Sequence, residues 1–439
     1  MTHMENNSPP SKNDTALQLE GPYRLNIPML LLTLILVSFG LIMLFSASMS
    51  AGYQDRQNPL FYVFKQGFST FLGIGMVALI IMIPIKKYDR TYLVIFAYLL
   101  TLGLVIYTML EGTIDGNARR WVDIGPLHFQ PSELAKIALI FCIAGYRSLV
   151  VRMRKAGKLS VDDPRKQAYL DCAVDIVIPW SAILLCLLFV LLQPHISCFI
   201  IMTVISVLCF LVSGIPLRSW IDGGLVMIIL ILVGLSGFML FSNDAQKADL
   251  AGNFEHAATR LNIFQTLQKE DEQDLVLSPE EKSKQTADEN EAYQSKQSMI
   301  AIGSGGVSGV GFGSSRQKFQ YLPEAHNDFV YAIACEELGF VGGVLIIALF
   351  WAFLCGGMSI AWRTQSDFAR ILVVGYTSLI TIQAFLNIGV AIGVIPPTGV
   401  TLPFFSYGGT ANLFFLIAVG LILAVSRTGV RRKKITYIE

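Results

Sequence analysis

Four short stretches hold the residue types best suited to chemistry. In the first, Gly116-Asn-Ala-Arg119-Arg120-Trp121, two guanidinium groups sit beside an indole. Guanidinium forks bind phosphate oxygens in pairs, so this pair suits a lipid phosphate; anchoring at a membrane–water interface is its other use. The second, Gln130-Pro-Ser132-Glu133-Leu-Ala-Lys136, opens an apolar run with proline where a helix tolerates its missing N–H. Gln130 and Ser132 then lie at the helix mouth, and Glu133 and Lys136, three apart, share a face. A charged pair about one turn into an apolar helix lines a polar cavity or closes on itself as a structural ion pair.

The third stretch runs from Tyr293 to Gly339 and carries Lys318, Glu324, His326, Asp328, Glu336 and Glu337. Ionisable groups at a membrane helix end are costly unless paired or hydrated, so Asp328, Glu336 and Glu337 point to a site at the membrane–water boundary. Its glycine run, 303–313, lacks Gly-Lys-Ser/Thr and follows no strand, which argues against a nucleotide-phosphate loop. Glycines there permit a re-entrant or closely packed backbone near the membrane surface. The fourth stretch, Pro396 to Gly409, contains Ser406 in apolar sequence broken by proline and glycine, as where backbone lines a cavity. His195, in the tight turn Gln193-Pro-His-Ile-Ser197, reads as a satisfied polar residue. The seven cysteines form no Cys-x-x-Cys pair and read as small apolar core residues.

These stretches are spaced along a chain of 439 residues, 53% hydrophobic and only 15% charged. Soluble domains carry about 25% charged residues, and here apolar blocks of about 20 residues recur, each long enough to span a bilayer. The pattern predicts an all-α, polytopic membrane protein with ten spans near 26–48, 62–85, 91–110, 131–147, 172–193, 195–214, 220–242, 326–355, 371–395 and 408–426. The N-terminus lacks a cleavable signal pattern, so the first block reads as a retained span. Basic residues gather in alternate loops: Lys86, Lys87 and Arg90; Arg147 to Lys166; Arg218; Arg363 and Arg370; and the tail from Arg427 to Lys434. By the positive-inside rule these loops and both termini are cytoplasmic. The expected layout is a tail at 1–25, spans 1–7 over 26–242, a large extracytoplasmic loop at 243–325 between spans 7 and 8, spans 8–10 over 326–426, and a basic tail at 427–439. The first part of the large loop is acidic and weakly apolar, as in a mobile segment. No internal repeat of the transporter kind is evident.

Taken together, the stretches resemble the SEDS family (shape, elongation, division, sporulation) of bacterial cell-wall proteins, which includes FtsW, RodA and SpoVE. The likeness runs nearly end to end through Ser46-Ala-Ser48, Tyr88-Asp-Arg90, Ala118-Arg-Arg-Trp121 and Gln130 to Lys136. It continues through Tyr293-Gln294, Gln297-Ser298, Ile302 to Gly306, Gln317-Lys318, Tyr321 to Phe329, Glu336 to Gly339 and Leu402 to Gly409. Leu322-Pro-Glu-Ala-His-Asn-Asp-Phe329 is more similar to the FtsW and SpoVE branch than to RodA. The resemblance implies a ten-span peptidoglycan glycosyltransferase in the bacterial inner membrane, at the division septum. It would join lipid II disaccharides into glycan strands, release undecaprenyl diphosphate, and work with a class B penicillin-binding transpeptidase and other divisome proteins; nucleic acid is not an expected partner. The family's key aspartate lies in the large loop in the pattern Asp-Pro-x-Gly-x-Gly-Tyr-Gln. The nearest match is Asp288, in Asp288-Glu-Asn-Glu-Ala-Tyr293-Gln294, which is one residue shorter and lacks the proline and both glycines; Glu289, Glu291 and Asp274 are alternatives. Gly116-Asn117 inverts the usual order, and His-Ile-Ser follows Gln193-Pro194 where many members have Asp-Leu-Gly.

On this footing Asp288 is the expected base for the acceptor hydroxyl. Arg119, Arg120, Lys136 or Lys318 would stabilise the departing diphosphate, with Glu133 orienting Lys136. The remaining substrate-binding candidates are Trp121, Gln130, Ser132, Tyr293, Gln297, Ser298, Glu324, His326, Asp328, Glu336 and Ser406. A divalent cation, magnesium or manganese, could assist, although no ligand set is legible. Two other functions compete. A lipid II flippase would need Glu133 and Lys136 but no loop base, and a non-catalytic scaffold for the transpeptidase would depend on the span surfaces instead.

Overall fold

The computed structural model describes residues 25–115, 118–124, 127–193, 195–241, 293–319 and 321–427. Its helices are α1 (Ile27–Arg56), α2 (Phe61–Met82), α3 (Thr91–Glu111), α4 (Pro131–Lys155), α5 (Pro164–Leu191), α6 (Ile196–Val212) and α7 (Leu217–Phe241). They are followed by α8 (293–304), α9 (Val330–Arg363), α10 (Asp367–Ala391) and α11 (Gly409–Ser426). Among the described residues, eight of these, α1 to α5 and α9 to α11, are long and apolar enough to cross a membrane; α6 is apolar over a shorter run. Each predicted span falls on a helix, and the all-α reading holds.

Local chemistry sets several of the helix ends. Asn26 caps α1 by accepting from the Met29 N–H (3.0 Å), and Ser366 does the same for α10 through Ala369. Pro131 occupies the first turn of α4, as expected. Two predicted boundaries move. α5 begins at Pro164, eight residues before the expected start, because the Asp163 carboxylate accepts from Arg165 N–H and caps it there. α9 begins at Val330 rather than near residue 326, so Asp328 precedes the helix.

The loop after α3 is not irregular. β1 (Thr113–Asp115), β2 (Ala118–Ile124) and β3 (Leu127–Phe129) form an antiparallel meander in that order. Val122 is buried and Asp123 exposed, the period-two alternation of a sheet with one covered face. The meander docks on the bundle through Phe129, whose ring meets Phe414 of α11 edge to face at 5.7 Å.

α10 is the central helix and packs on α4, α6, α9 and α11. Tyr376, fully buried on it, donates its hydroxyl to the Ile137 carbonyl of α4 (3.2 Å). α2 rests on α1 and α11, and α3 rests on α4. The outward faces of α2 and α3 carry exposed Phe64, Phe68, Phe71, Ile95, Phe96 and Leu99. So continuous an apolar surface would be a liability in water and suits a lipid-facing wall.

Candidate functional site at one end of the bundle

At the N-terminal end of α4, Lys136 Nζ lies 2.8 Å from Glu133 Oε1 and 2.8 Å from Gln383 Oε1 of α10. Both charges are buried, and among the described residues Glu133 Oε2 has no hydrogen-bond partner. Gln383 reaches back to Thr401 of the last long turn. One turn along α10, Asn387 Nδ2 donates to the carbonyls of Asp328 and Val400, both at 2.7 Å. The same polar seam thus joins α4, α10, the segment before α9 and the 396–409 turn. Broken backbone is tolerated at membrane depth only where protein or a polar cavity satisfies it, and this seam meets that condition.

Two titrating groups outside the spans report the local field. His195, which caps α6, is held down to about 3 by burial and then by the Arg120 and Lys136 cations. The imidazole is therefore held neutral. Asp328 is pushed up to about 7, first by burial and then by the Glu324 carboxylate.

A second buried set lies at the α9 break. The side chains of Lys318 and Glu337 are fully buried and paired at 2.9 Å. Lys318 Nζ also donates to Ser46 Oγ (3.0 Å) and the Gly313 carbonyl (2.6 Å), and Ser46 Oγ of α1 donates to Glu337 Oε1 (2.6 Å). Glu336 accepts from the Ser315 hydroxyl and from the backbone N–H groups of Arg316 (2.9 Å) and Gln317 (3.4 Å). These acids sit at the end of a short helical piece, because α9 breaks at Gly339 (φ 71°). The glycine run packs into that break: Val310 and Gly311 donate to the Glu336 and Glu337 carbonyls (both 3.0 Å). In return Phe340 and Val341 donate to Gly306 (2.9 Å) and Val307 (3.3 Å). At Gly309 (φ 80°) a Cβ would lie 2.1 Å from the Glu337 carbonyl oxygen. The expected closely packed backbone is what the structure shows.

The sequence-predicted residues therefore separate. Ser132, Glu133 and Lys136 come together, with Arg120 nearby through His195, and Gln130 forms the mouth of α4 as its N-terminal cap. Arg119 pairs with Ile114 in the meander, and Trp121 is half-buried beside it. Lys318 and Glu336 are enclosed, with bonds to the protein itself. Ser298 is also enclosed and donates to the Ala391 carbonyl (2.7 Å), while Tyr293 is exposed and Gln297 half-buried on α8. Ser406 accepts from Leu402 N–H (2.8 Å), closing the last turn. The His326 ring lies 4.5 Å from the Tyr62 ring, tilted by 44°, and exposed Glu324 accepts from Asn327. Asp288, with Asp274, Glu289 and Glu291, lies outside the described residues. Gln383 and Asn387 were missed; their i, i+4 spacing in an apolar helix was the available signal.

This end of the bundle defines a polytopic helical membrane protein with a buried, charged polar site at one end of its helices. Comparison with known proteins gives the family. Residues 27–430 match the family model for FtsW, RodA and SpoVE described as "Cell cycle protein", and the chain belongs to that family. It is 32% identical over 404 residues to stage V sporulation protein E of Bacillus subtilis (strain 168), covering 91% of this chain and 96% of that protein. It is 30% identical over 406 residues to the probable peptidoglycan glycosyltransferase FtsW of Geobacter sulfurreducens, covering 92% and 95%. The fold matches a solved peptidoglycan synthase complex that coordinates polymerization and crosslinking (TM-score 0.63, 22% identity, 92% of this chain and 98% of that one). It also matches the rod shape determining protein RodA of Thermus thermophilus (TM-score 0.59, 22% identity, 93% and 98%).

Proposed function

We propose that this protein is a peptidoglycan glycosyltransferase that polymerises lipid II at the extracytoplasmic face of the bacterial inner membrane, releasing undecaprenyl diphosphate. In this reading ten of the eleven helices, all but α8, cross the membrane, both termini are cytoplasmic, and a class B penicillin-binding transpeptidase and divisome proteins at the septum are its partners. The observation that carries it is the buried Glu133–Lys136–Gln383 set beside Arg120 and His195. A departing diphosphate needs fixed positive charge in a place where water does not screen it. Lys136 supplies that charge, while Glu133 and Gln383 hold its ammonium in position without reorganisation during the reaction. Glu133 Oε2, without a hydrogen-bond partner among the described residues, is where a polar substrate group would complete the bonding.

Asp288 is the assigned base for the acceptor hydroxyl, on the family pattern it partly matches. Among the described residues no three His, Cys, Asp or Glu side chains converge to hold a magnesium or manganese ion, so no step is assigned to one. The test is glycan-strand formation from purified lipid II, alone and with the cognate transpeptidase. Wild type should give polymer, and Asp288→Ala should give none at equal expression and partner binding. Equal polymer from both moves the base to Glu289, Glu291 or Asp274. Absence of polymer from wild type with a verified partner favours lipid II transport or scaffolding.

A further inference from the structure

Several backbone groups of the glycine run are bonded within the protein rather than left to solvent. Gly309 N–H donates to Gly305 (2.8 Å), Val310 and Gly311 N–H groups to Glu336 and Glu337, and the Gly306 and Val307 carbonyls accept from Phe340 and Val341. A loop in water has no need of this, because solvent completes its bonds. A loop against hydrocarbon cannot do without it, because each unsatisfied backbone group there costs several kcal/mol. The side chains complete the contrast: Val307 is 72% exposed, Val310 and Phe312 are exposed, and all three are apolar.

Two helix lengths set the depth of the layer to which this loop is bonded. From Phe340, just past the break, to exposed Trp362, α9 rises about 33 Å at 1.5 Å per residue, close to the hydrocarbon thickness of about 30 Å. Trp362 suits an interfacial anchor at the far end. The piece Val330–Leu338 is therefore not needed to cross the core, which explains how Glu336 and Glu337 can lie on it. Along α1, the distance from Ile27 to Ser46 is about 29 Å. Ile27 opens α1 at the opposite end of the bundle, where Asn26 N–H donates to Ser426 Oγ at the end of α11 (3.2 Å). Ser46 touches Glu337 (2.6 Å). Both helices put the Ser46–Glu337–Gly339 layer at the edge of the hydrocarbon, and the glycine run is bonded to that layer. Its exposed side chains continue the lipid-facing surface begun by Phe340 (69% exposed) and Val341.

We infer that the loop over 305–313 is a membrane-embedded wedge whose Val307, Val310 and Phe312 contact the acyl chains of the leaflet that α9 enters. The inference rests on the chain's being a membrane protein and is independent of its catalytic reading. It fixes the depth of the buried acids and brings lipid directly against the loop that holds Lys318 and Glu337.

The test is photo-crosslinking of the full chain in vesicles of phosphatidylethanolamine and phosphatidylglycerol. p-Benzoylphenylalanine replaces Val310 or Phe312 in turn. Trp351, exposed in the middle of α9, is the lipid-facing comparator, and Tyr53, exposed on α1 about 10 Å beyond Ser46, is the comparator outside the membrane. Lipid adducts at positions 310 and 312 that match those at 351, and exceed those at 53 several-fold, are the expected result. Adduct levels no higher than at 53 would overturn the inference. So would adducts to a co-reconstituted transpeptidase in place of lipid, since the surface would then be a protein contact. Phe312 is the second position because Val310 follows the tightly packed Gly309, where a bulky replacement is more apt to disturb the fold.

Discussion

Removing Lys136 leaves Glu133 buried with neither oxygen bonded to a cation. Breaking a buried pair from one side costs about 3–5 kcal/mol, whereas replacing both partners can be nearly neutral. Lys136→Met should therefore lower the thermal midpoint of the purified protein sharply. The double variant Glu133→Gln/Lys136→Met should recover most of that loss and still form no glycan polymer. Polymer from the well-folded double variant would remove Lys136 from the chemistry. Asp328 offers a different test, through pH. Its carboxyl, ordinarily near 3.8, is raised to about 7 in the fold. Between those values the native state holds a proton that the unfolded chain releases, so stability drawn from this group falls as pH rises through the window. Asp328→Asn should leave the midpoint unchanged at about pH 4 and raise it at about pH 8. An offset equal at both ends would show that burial of the charge is not what the substitution relieves.

Among the elements, the glycine run against the α9 break is the most sharply constrained. Gly309→Ala must adopt a positive φ and drive a methyl into the Glu337 carbonyl, whereas a methyl at Gly303 would meet nothing within 4 Å and the backbone there has no positive φ. Gly309→Ala should cost at least about 1–3 kcal/mol in apparent stability, and Gly303→Ala should be near neutral; comparison of their melting midpoints decides it. This junction also shows where sequence reasoning stopped. The helices were legible because apolar blocks of bilayer length need no tertiary information, and Glu133 with Lys136 was legible because three-residue spacing fixes a shared face. Glu336-Glu-Leu-Gly339 reads as continuous helix, and the break there is set by hydrogen bonds from residues about 30 positions earlier, which no local pattern encodes. The β-meander was hidden for a similar reason, since β1 and β3 are three residues each and gain order only by pairing with β2 and docking on α11. Gln383 and Asn387 were visible as polar residues in an apolar helix, but their meaning depends on Lys136 and Asp328, which are remote in sequence.

Viewed across the whole molecule, α4 carries a buried charge layer towards each membrane face. Lys136 belongs to one, and Arg147, 11 residues or about 16 Å along the helix, belongs to the other. There Arg147 pairs with Asp175 at 2.6 Å, and Arg154 bridges Asp175 (2.8 Å) and Asp171 (2.7 Å). Asp175 reaches this position from the π-helical turn Ala173–Val177, an inserted-residue distortion within α5. It is fully buried, so the pair ties α4 to α5 at the face away from the site. The two layers should separate experimentally. Asp175→Asn leaves the buried Arg147 without its counter-charge and should lower the thermal midpoint by an amount comparable to Lys136→Met, since both break a buried pair from one side. Polymer formed per folded molecule should stay near wild type for Asp175→Asn and vanish for Lys136→Met. The assay is lipid II polymerisation normalised to the monodisperse fraction, at a temperature below both midpoints. A parallel loss of specific activity in Asp175→Asn would mean that α4 transmits a shift from one membrane face to the other, and that the far layer sets the position of Lys136.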